Sequence, residues 1–183
     1  HMARGKKSRT LKWLKRHRRD SYVRQARREG YRSRAAYKLA QINQRDHLFS
    51  TGDVVLDLGA SPGSWSQFAI EKVSPGGRVV AVDVLPMKAV KGVDFVLGDI
   101  TEPETYCAVH GCLGAIGADL VISDLAPSIT GIRHADQVHC IQLAEQARKI
   151  ALGVLKAHGS FLVKIFEGES AQEFREQTEV LFD

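Results

Sequence analysis

The chain has 183 residues, of which 44% are hydrophobic and 26% charged. That is the size and balance of one soluble domain able to bury its own core. No apolar run approaches the roughly 18–20 residues of a membrane span, and the basic N-terminal stretch contains no apolar leader segment. A membrane protein and a secreted one are therefore not expected, and the reading is cytoplasmic. The net charge of +5 is unevenly placed: residues 1–34 carry +12 and the rest of the chain carries −7.

Residues 1–19 read as a basic arm, partly disordered at its tip, and residues 20–183 as the folded domain. Such an arm is an electrostatic footprint for a polyanion. Trp13, Tyr22 and Tyr31 interleave with the charges and can stack on bases or pack on the body. The arm lacks a long apolar face to insert into a bilayer, so nucleic acid is favoured over a membrane surface. Lys12 and Arg16 in the arm, with Arg32 and Arg34 beyond it, are the candidate phosphate ligands.

Asp20 can cap a short basic helix ending at Gly30, and Ser33 a second one through Ala35, Ala36, Leu39 and Ile42. An alternation of strands and helices follows. Val54–Leu58 is an apolar strand running into the turn Gly59-Ala60-Ser61-Pro62-Gly63, and a helix extends from there to about Val73. Strands are expected at Arg78–Asp83, Asp94–Asp99 and Asp119–Asp124, with a helix over 103–115 before the last of these. A long helix over 136–156, a strand at Ser160–Phe166 and a helix over 170–181 complete the order. Near-continuous apolar strands separated by helices predict an α/β fold with a mostly parallel sheet covered on both faces.

In such a sheet the ligand crevice lies at the carboxyl ends of the strands, where strand order reverses. Asp57, Asp83, Asp99 and Asp124 all fall at those ends. Lys164 interrupts an apolar strand, which predicts a carboxylate or a polar cleft beside it. The turn Gly59-x-x-x-Gly63 lacks the G-x-G-x-x-G dinucleotide fingerprint, and the chain has no P-loop. A nucleoside ligand without phosphates suits that turn, and S-adenosylmethionine (SAM) is the candidate. Asp83 is placed for the ribose hydroxyls, Asp99 for the adenine amine, and helix-start N–H groups for the methionine carboxylate. Cys107, His110 and Cys112 match no standard zinc spacing, so no metal is expected.

The sequence resembles the FtsJ/RrmJ-type (RlmE) ribosomal RNA 2′-O-ribose methyltransferases from about Trp13 onward. The resemblance rests on Arg32–Leu39, on Asp57–Gln67 with its Gly59, Gly63 and Trp65, on Asp83–Met87, on Ser123–Pro127 and on Val163–Gly168. It implies a Rossmann-like SAM-dependent methyltransferase fold and a catalytic Lys-Asp-Lys-Glu set, to which Lys38, Asp124 and Lys164 correspond. It adds Trp65 and Asp124 to the cofactor residues Gly59, Gly63, Asp83 and Asp99. The family carries Asn where Ser128 stands, and it continues past Asp183 with two more strands and the catalytic glutamate.

The implied reaction is methyl transfer to a ribose 2′-hydroxyl, expected at a uridine of large-subunit ribosomal RNA or its precursor, by an enzyme acting as a monomer. That hydroxyl is a weak acid, so it must be aligned and its proton removed. Lys164 is the candidate base or electrostatic stabiliser, with Asp124 orienting it and Lys38 as a second cation. Base-methylating enzymes often carry Asn/Asp-Pro-Pro-aromatic after this strand, whereas here the segment is Asp124-Leu125-Ala126-Pro127. The alternatives are a transfer RNA or cap ribose methyltransferase, and a catalytically silent ribosome-assembly factor.

Overall fold

A computed structural model describes residues 21–127 and 129–182. Lys12, Arg16, the cap expected at Asp20 and the substitution at Ser128 lie outside the described residues.

Two helices open the described chain, α1 (Ser21–Glu29) and α2 (Ala35–Asp46). Then follow β1 (Val54–Leu58), α3 (Ser64–Val73), β2 (Arg78–Asp83), β3 (Val93–Leu97), α4 (Pro103–Leu113) and β4 (Ala118–Ser123). The chain closes with α5 (Arg133–Val154), β5 (Leu155–Val163) and α6 (Glu169–Glu179). The five strands form one sheet in the order β3-β2-β1-β4-β5, and every pairing in it is parallel. Strand order reverses between β1 and β4, which fixes the crevice at their carboxyl ends.

The side-chain alternation of each strand feeds two core layers. Leu56, Leu58, Val80, Val82 and Val121 pack beneath α4 and α5 with Val109, Ile150 and Val154. Val55, Val79, Leu120 and Ile122 face the other way, against Leu39, Trp65 and Phe68 of α2 and α3. Burial on both faces is why these strands read as continuous apolar runs.

Several boundaries differ from expectation: β3 ends at Leu97 and β4 at Ser123, so Asp99 and Asp124 follow their strands, and the largest differences are in the long helix and the last strand. The long helix begins at Arg133 rather than 136, and Asp136 lies within its first turn. The Asp136 carboxylate reaches back to accept from the N–H of Thr130 and Gly131 and from the Thr130 hydroxyl. A residue that resembles a cap from its type thus fastens the loop before the helix. The last strand begins at Leu155 and ends at Val163, and its pairing jumps from Ala118–Leu155 to Leu120–Ser160. His158 sits inside that irregularity at φ 64°. Lys164 therefore follows the strand instead of interrupting it, although its N–H still bonds Ser123 O at 3.0 Å.

Candidate active site

The layer containing Val55, Ile122 and Leu162 ends, at the carboxyl edge, in polar residues. Continuing the alternation by two places along each strand gives Asp57 on β1, Asp124 after β4 and Lys164 after β5. The sheet thus presents a row of charged groups toward the amino end of α3.

Lys164 Nζ bonds Asp124 Oδ1 in a short ion pair, and also lies 3.3 Å from Asp124 O. The expected carboxylate partner is Asp124. The pair is only partly covered, Lys164 being 37% and Asp124 26% exposed. Water therefore shares in solvating it, and the desolvation expected for a lysine inside a strand is largely avoided. Lys164, Asp124 and Lys38 line one open cleft of about 730 Å³, walled by Trp65, Leu162 and Ile165. Lys38 projects from the exposed side of α2.

A second crevice, of about 500 Å³, lies between the ends of β1, β2 and β4. Gly59, Asp83, Asp99, Asp124 and Leu125 line it. Asp124 borders both spaces and joins them. Gly59 has φ 76°, and a Cβ there would stand 2.9 Å from Leu125 Cδ2 and 3.0 Å from its backbone N. Glycine is required both by that conformation and by that close approach. Gly63, at φ 108°, is the residue before α3, so the first N–H groups of that helix, Trp65's included, point from its open end.

The acidic residues at the crevice differ in what they already hold. Asp83 Oδ2 accepts from Ser61 N at 2.9 Å and Oδ1 from Leu85 N at 2.8 Å, so it shapes the loops on both sides of it. Each oxygen keeps a further lone pair for a ligand hydroxyl. Asp99 Oδ1 accepts from Thr101 N and Thr101 Oγ1, and Oδ2 takes part in neither bond. Asp57 is fully buried, its Oδ2 accepts from Ser66 Oγ at 2.6 Å, and its Oδ1 has no partner among the described residues. Burial pushes its pKa up to about 7, opposed by the Ser66 hydrogen bond and reinforced by the charges of Asp124 and Asp83.

That shift has a measurable sign. The unfolded chain releases the Asp57 proton near pH 4, whereas the folded one keeps it until about 7. Stability therefore falls as pH rises through that window and stays lowered above it. Measured by urea unfolding, the native protein should lose a few kcal/mol more stability between pH 5 and pH 8 than Asp57→Asn, which cannot ionise. Parallel pH dependence of the two proteins would remove Asp57 as the source.

Two of the expected site residues have side chains engaged within the fold. The Trp65 side chain is 6% exposed and packs in the core, and its indole N–H donates to Ala35 O at 2.9 Å. The Arg32 guanidinium donates to three backbone carbonyls, those of Pro62, Lys88 and Ala89. Arg34 is exposed on the neighbouring turn.

Asp57 with its partner Ser66, and Gln67 with its contacts to Arg32 N and Gly30 O, were not singled out as site residues. The signal for Asp57 was available, since a carboxylate inside an apolar strand raises the same question as Lys164. The bonding of Gln67 had no comparable signal.

Comparisons with known proteins bear on the family and the fold. The model of the FtsJ-like methyltransferase family matches residues 31–183. A protein of Marinobacter nauticus named ribosomal RNA large subunit methyltransferase E is 47% identical over 182 residues, covering 100% of this chain and 87% of its own. The protein of that name from Nitrosomonas eutropha is 50% identical over 164 residues, covering 90% and 80% respectively. Among solved structures, a ribosomal RNA methyltransferase from Plasmodium falciparum aligns with TM-score 0.76 at 23% identity, over 80% of this chain and 85% of that one. Fibrillarin from Aeropyrum pernix, solved with bound SAM, aligns with TM-score 0.52 at 18% identity, over 72% and 57%. These two share the Rossmann-like fold.

Proposed function

This chain belongs to the FtsJ-like methyltransferase family, and from that premise we propose that it methylates a ribose 2′-hydroxyl of large-subunit ribosomal RNA with SAM as the methyl donor. The observation that carries the site assignment is Asp124, one carboxylate bordering both the crevice of Asp83 and the cleft of Lys38 and Lys164.

The crevice fits the cofactor on its own chemistry. Asp83, Asp99 and Asp124 line it, and Asp57, whose carboxyl feels the charges of Asp83 and Asp124, is buried with an oxygen that has no partner among the described residues. A ligand with a sulfonium and an ammonium relieves that accumulation of like charge. Gly59 leaves room where a Cβ would not, and the open N–H groups of α3 suit a carboxylate. In this reading Asp83 holds the ribose hydroxyls, Asp99 the adenine amine, and Gly63 with the Trp65 N–H the methionine carboxylate. Bound there, SAM supplies a methyl group on a positively charged sulfur. Lys164 as the neutral amine takes the proton of the 2′-hydroxyl, Asp124 orients the ammonium that results, and Lys38 steadies negative charge in the same cleft.

Lys12, Arg16 and Arg34 contribute to holding the RNA backbone, with the arm as a whole supplying long-range attraction. The finer assignments are a uridine target, a precursor or assembled subunit as substrate, a single copy of the chain as the acting unit, and the cytoplasm as its location.

Asp83→Ala should weaken SAM binding by about 1.5–3 kcal/mol, the range for hydrogen bonds to a charged group. Asp83→Asn keeps one acceptor oxygen and should lose less. Calorimetry giving native affinity for a folded Asp83→Ala protein would take Asp83 out of the site.

The deciding experiment offers tritiated SAM with purified large subunits, free ribosomal RNA and transfer RNA, then maps the labelled nucleotide. Label on a ribose of the large-subunit RNA is expected. Label on transfer RNA alone, or on a base, would replace the proposed substrate, and no label on any RNA would point to an assembly factor.

A further inference from the structure

Arg32 makes contacts that neither the methyl donor nor the RNA requires. The Nη1 group donates to Pro62 O at 2.8 Å and to Lys88 O at 2.6 Å, and Nη2 to Ala89 O at 2.7 Å. Pro62 belongs to the glycine turn after β1, and Lys88 and Ala89 to the loop that follows Asp83. One guanidinium thus ties together two loops that border the cofactor crevice. Among the described residues it forms no ion pair with a carboxylate, so its donors are committed to backbone.

The same segment is fastened to the start of α3 at several further points. Arg32 N donates to Gln67 Oε1 and Gln67 Nε2 to Gly30 O, both at 3.0 Å. Ser33 Oγ and Ser64 Oγ share a hydrogen bond of 2.7 Å. Residues 30–33 connect α1 to α2, and α2 carries Lys38. A planar fork suits three carbonyls arranged on two nitrogens, and a lysine ammonium has neither the reach nor the fixed geometry for that set.

We propose that Arg32 is a positioning residue that makes cofactor affinity depend on the seating of the α1–α2 pair. By holding the Pro62 and Lys88–Ala89 carbonyls, it keeps the turn at Gly63 and the Asp83 loop at the spacing the cofactor needs. Because the link is thermodynamic, it acts in both directions: a bound cofactor steadies the helix pair that carries Lys38, and a displaced pair weakens the cofactor. This rests on the SAM assignment made above.

The test measures SAM binding by calorimetry for the native chain, Arg32→Ala and Arg32→Lys, each well below its unfolding temperature. Amide hydrogen exchange over residues 60–63 and 84–91 and the salt dependence of RNA binding without SAM are recorded alongside. Arg32→Ala should bind SAM at least about tenfold more weakly, a change of about 1.4 kcal/mol, and Arg32→Lys should recover only part of it. Exchange should quicken in both loops, KM for SAM should rise, and kcat at saturating SAM should stay within a few-fold. The RNA salt slope should not change.

Native SAM affinity in Arg32→Ala would overturn the proposal. If that came with a shallower salt slope, Arg32 would be a phosphate ligand instead. Should Arg32→Ala not fold, Gln67→Ala removes the neighbouring anchor and must weaken SAM in the same direction, and an unchanged affinity there overturns the proposal equally. A native chain that binds no SAM would sink the cofactor assignment itself. Native binding with indifferent variants would sink only the role of Arg32.

Discussion

Lys164→Ala is expected to abolish detectable methyl transfer, a loss of about 10²–10⁴-fold or more for removing a positioned proton-transfer group, while SAM binding stays within severalfold of native. The separation follows from the geometry. Lys164 lines the cleft shared with Lys38 and not the Asp83 crevice, and it meets that crevice only through Asp124. Loss confined to the transition state lowers turnover without weakening ground-state binding. The variant should fold, because the Asp124 carboxylate it leaves behind is partly exposed and can be solvated. Lys164→Arg should fail as well, since a guanidinium does not give up its proton and its fork does not match a site built for an ammonium. A pH–rate profile of the native enzyme then separates base from electrostatic stabiliser: a base acts as the amine, so the rate rises through its ionisation, whereas a stabilising ammonium loses its effect as it deprotonates. Near-native turnover in a folded Lys164→Ala protein would reduce Lys164 to a structural partner of Asp124.

RNA affinity should fall steeply with salt, and removal of residues 3–19 should flatten that dependence. This segment holds nine lysines and arginines, and each phosphate neutralised releases condensed counterions. Proteins making roughly 6–10 such contacts lose about 10³–10⁵ in affinity between 50 and 200 mM salt. The slope of log affinity against log salt is the quantity to compare, with SAM affinity as the control. Since the crevice is lined wholly by residues from Gly59 onward, SAM binding should survive the deletion. An unchanged slope would make the arm a bystander.

The sequence carried the site's chemistry further than its mechanics. Asp83, Asp99 and Asp124 were legible because a carboxylate at the end of an apolar strand has few structural reasons to be there. Lys164 was legible for the same reason, and the partner it required is Asp124. Trp65 was marked only by the family resemblance, and residue type gave no sign that its ring fills the core and its indole N–H donates to Ala35 O. An arginine in a basic stretch suggests a phosphate, but residue type could not show that the Arg32 guanidinium bonds backbone carbonyls of residues 62, 88 and 89, because carbonyls leave no trace in a sequence. The strand boundaries slipped where residue type is ambiguous: Ile165 and Phe166 are as apolar as strand residues, but Ile165 lines the cleft and the Phe166 N–H bonds Cys140 Sγ.

The irregular foot of β5 bears on how a chain like this can lengthen or shorten as lineages diverge. Between its two pairings with β4, β5 spends five residues where β4 spends two. Past that point Phe161 and Val163 join one core layer and Leu162 the other, which locks the order of faces up to Lys164. A residue gained or lost within 156–159 is taken up in the surplus and leaves the ammonium where it was. The same change between 160 and 164 turns every later side chain to the opposite face, because the period is two. Insertions and deletions among functional descendants should therefore collect at the foot of this strand, four residues or more from the group they would otherwise disable.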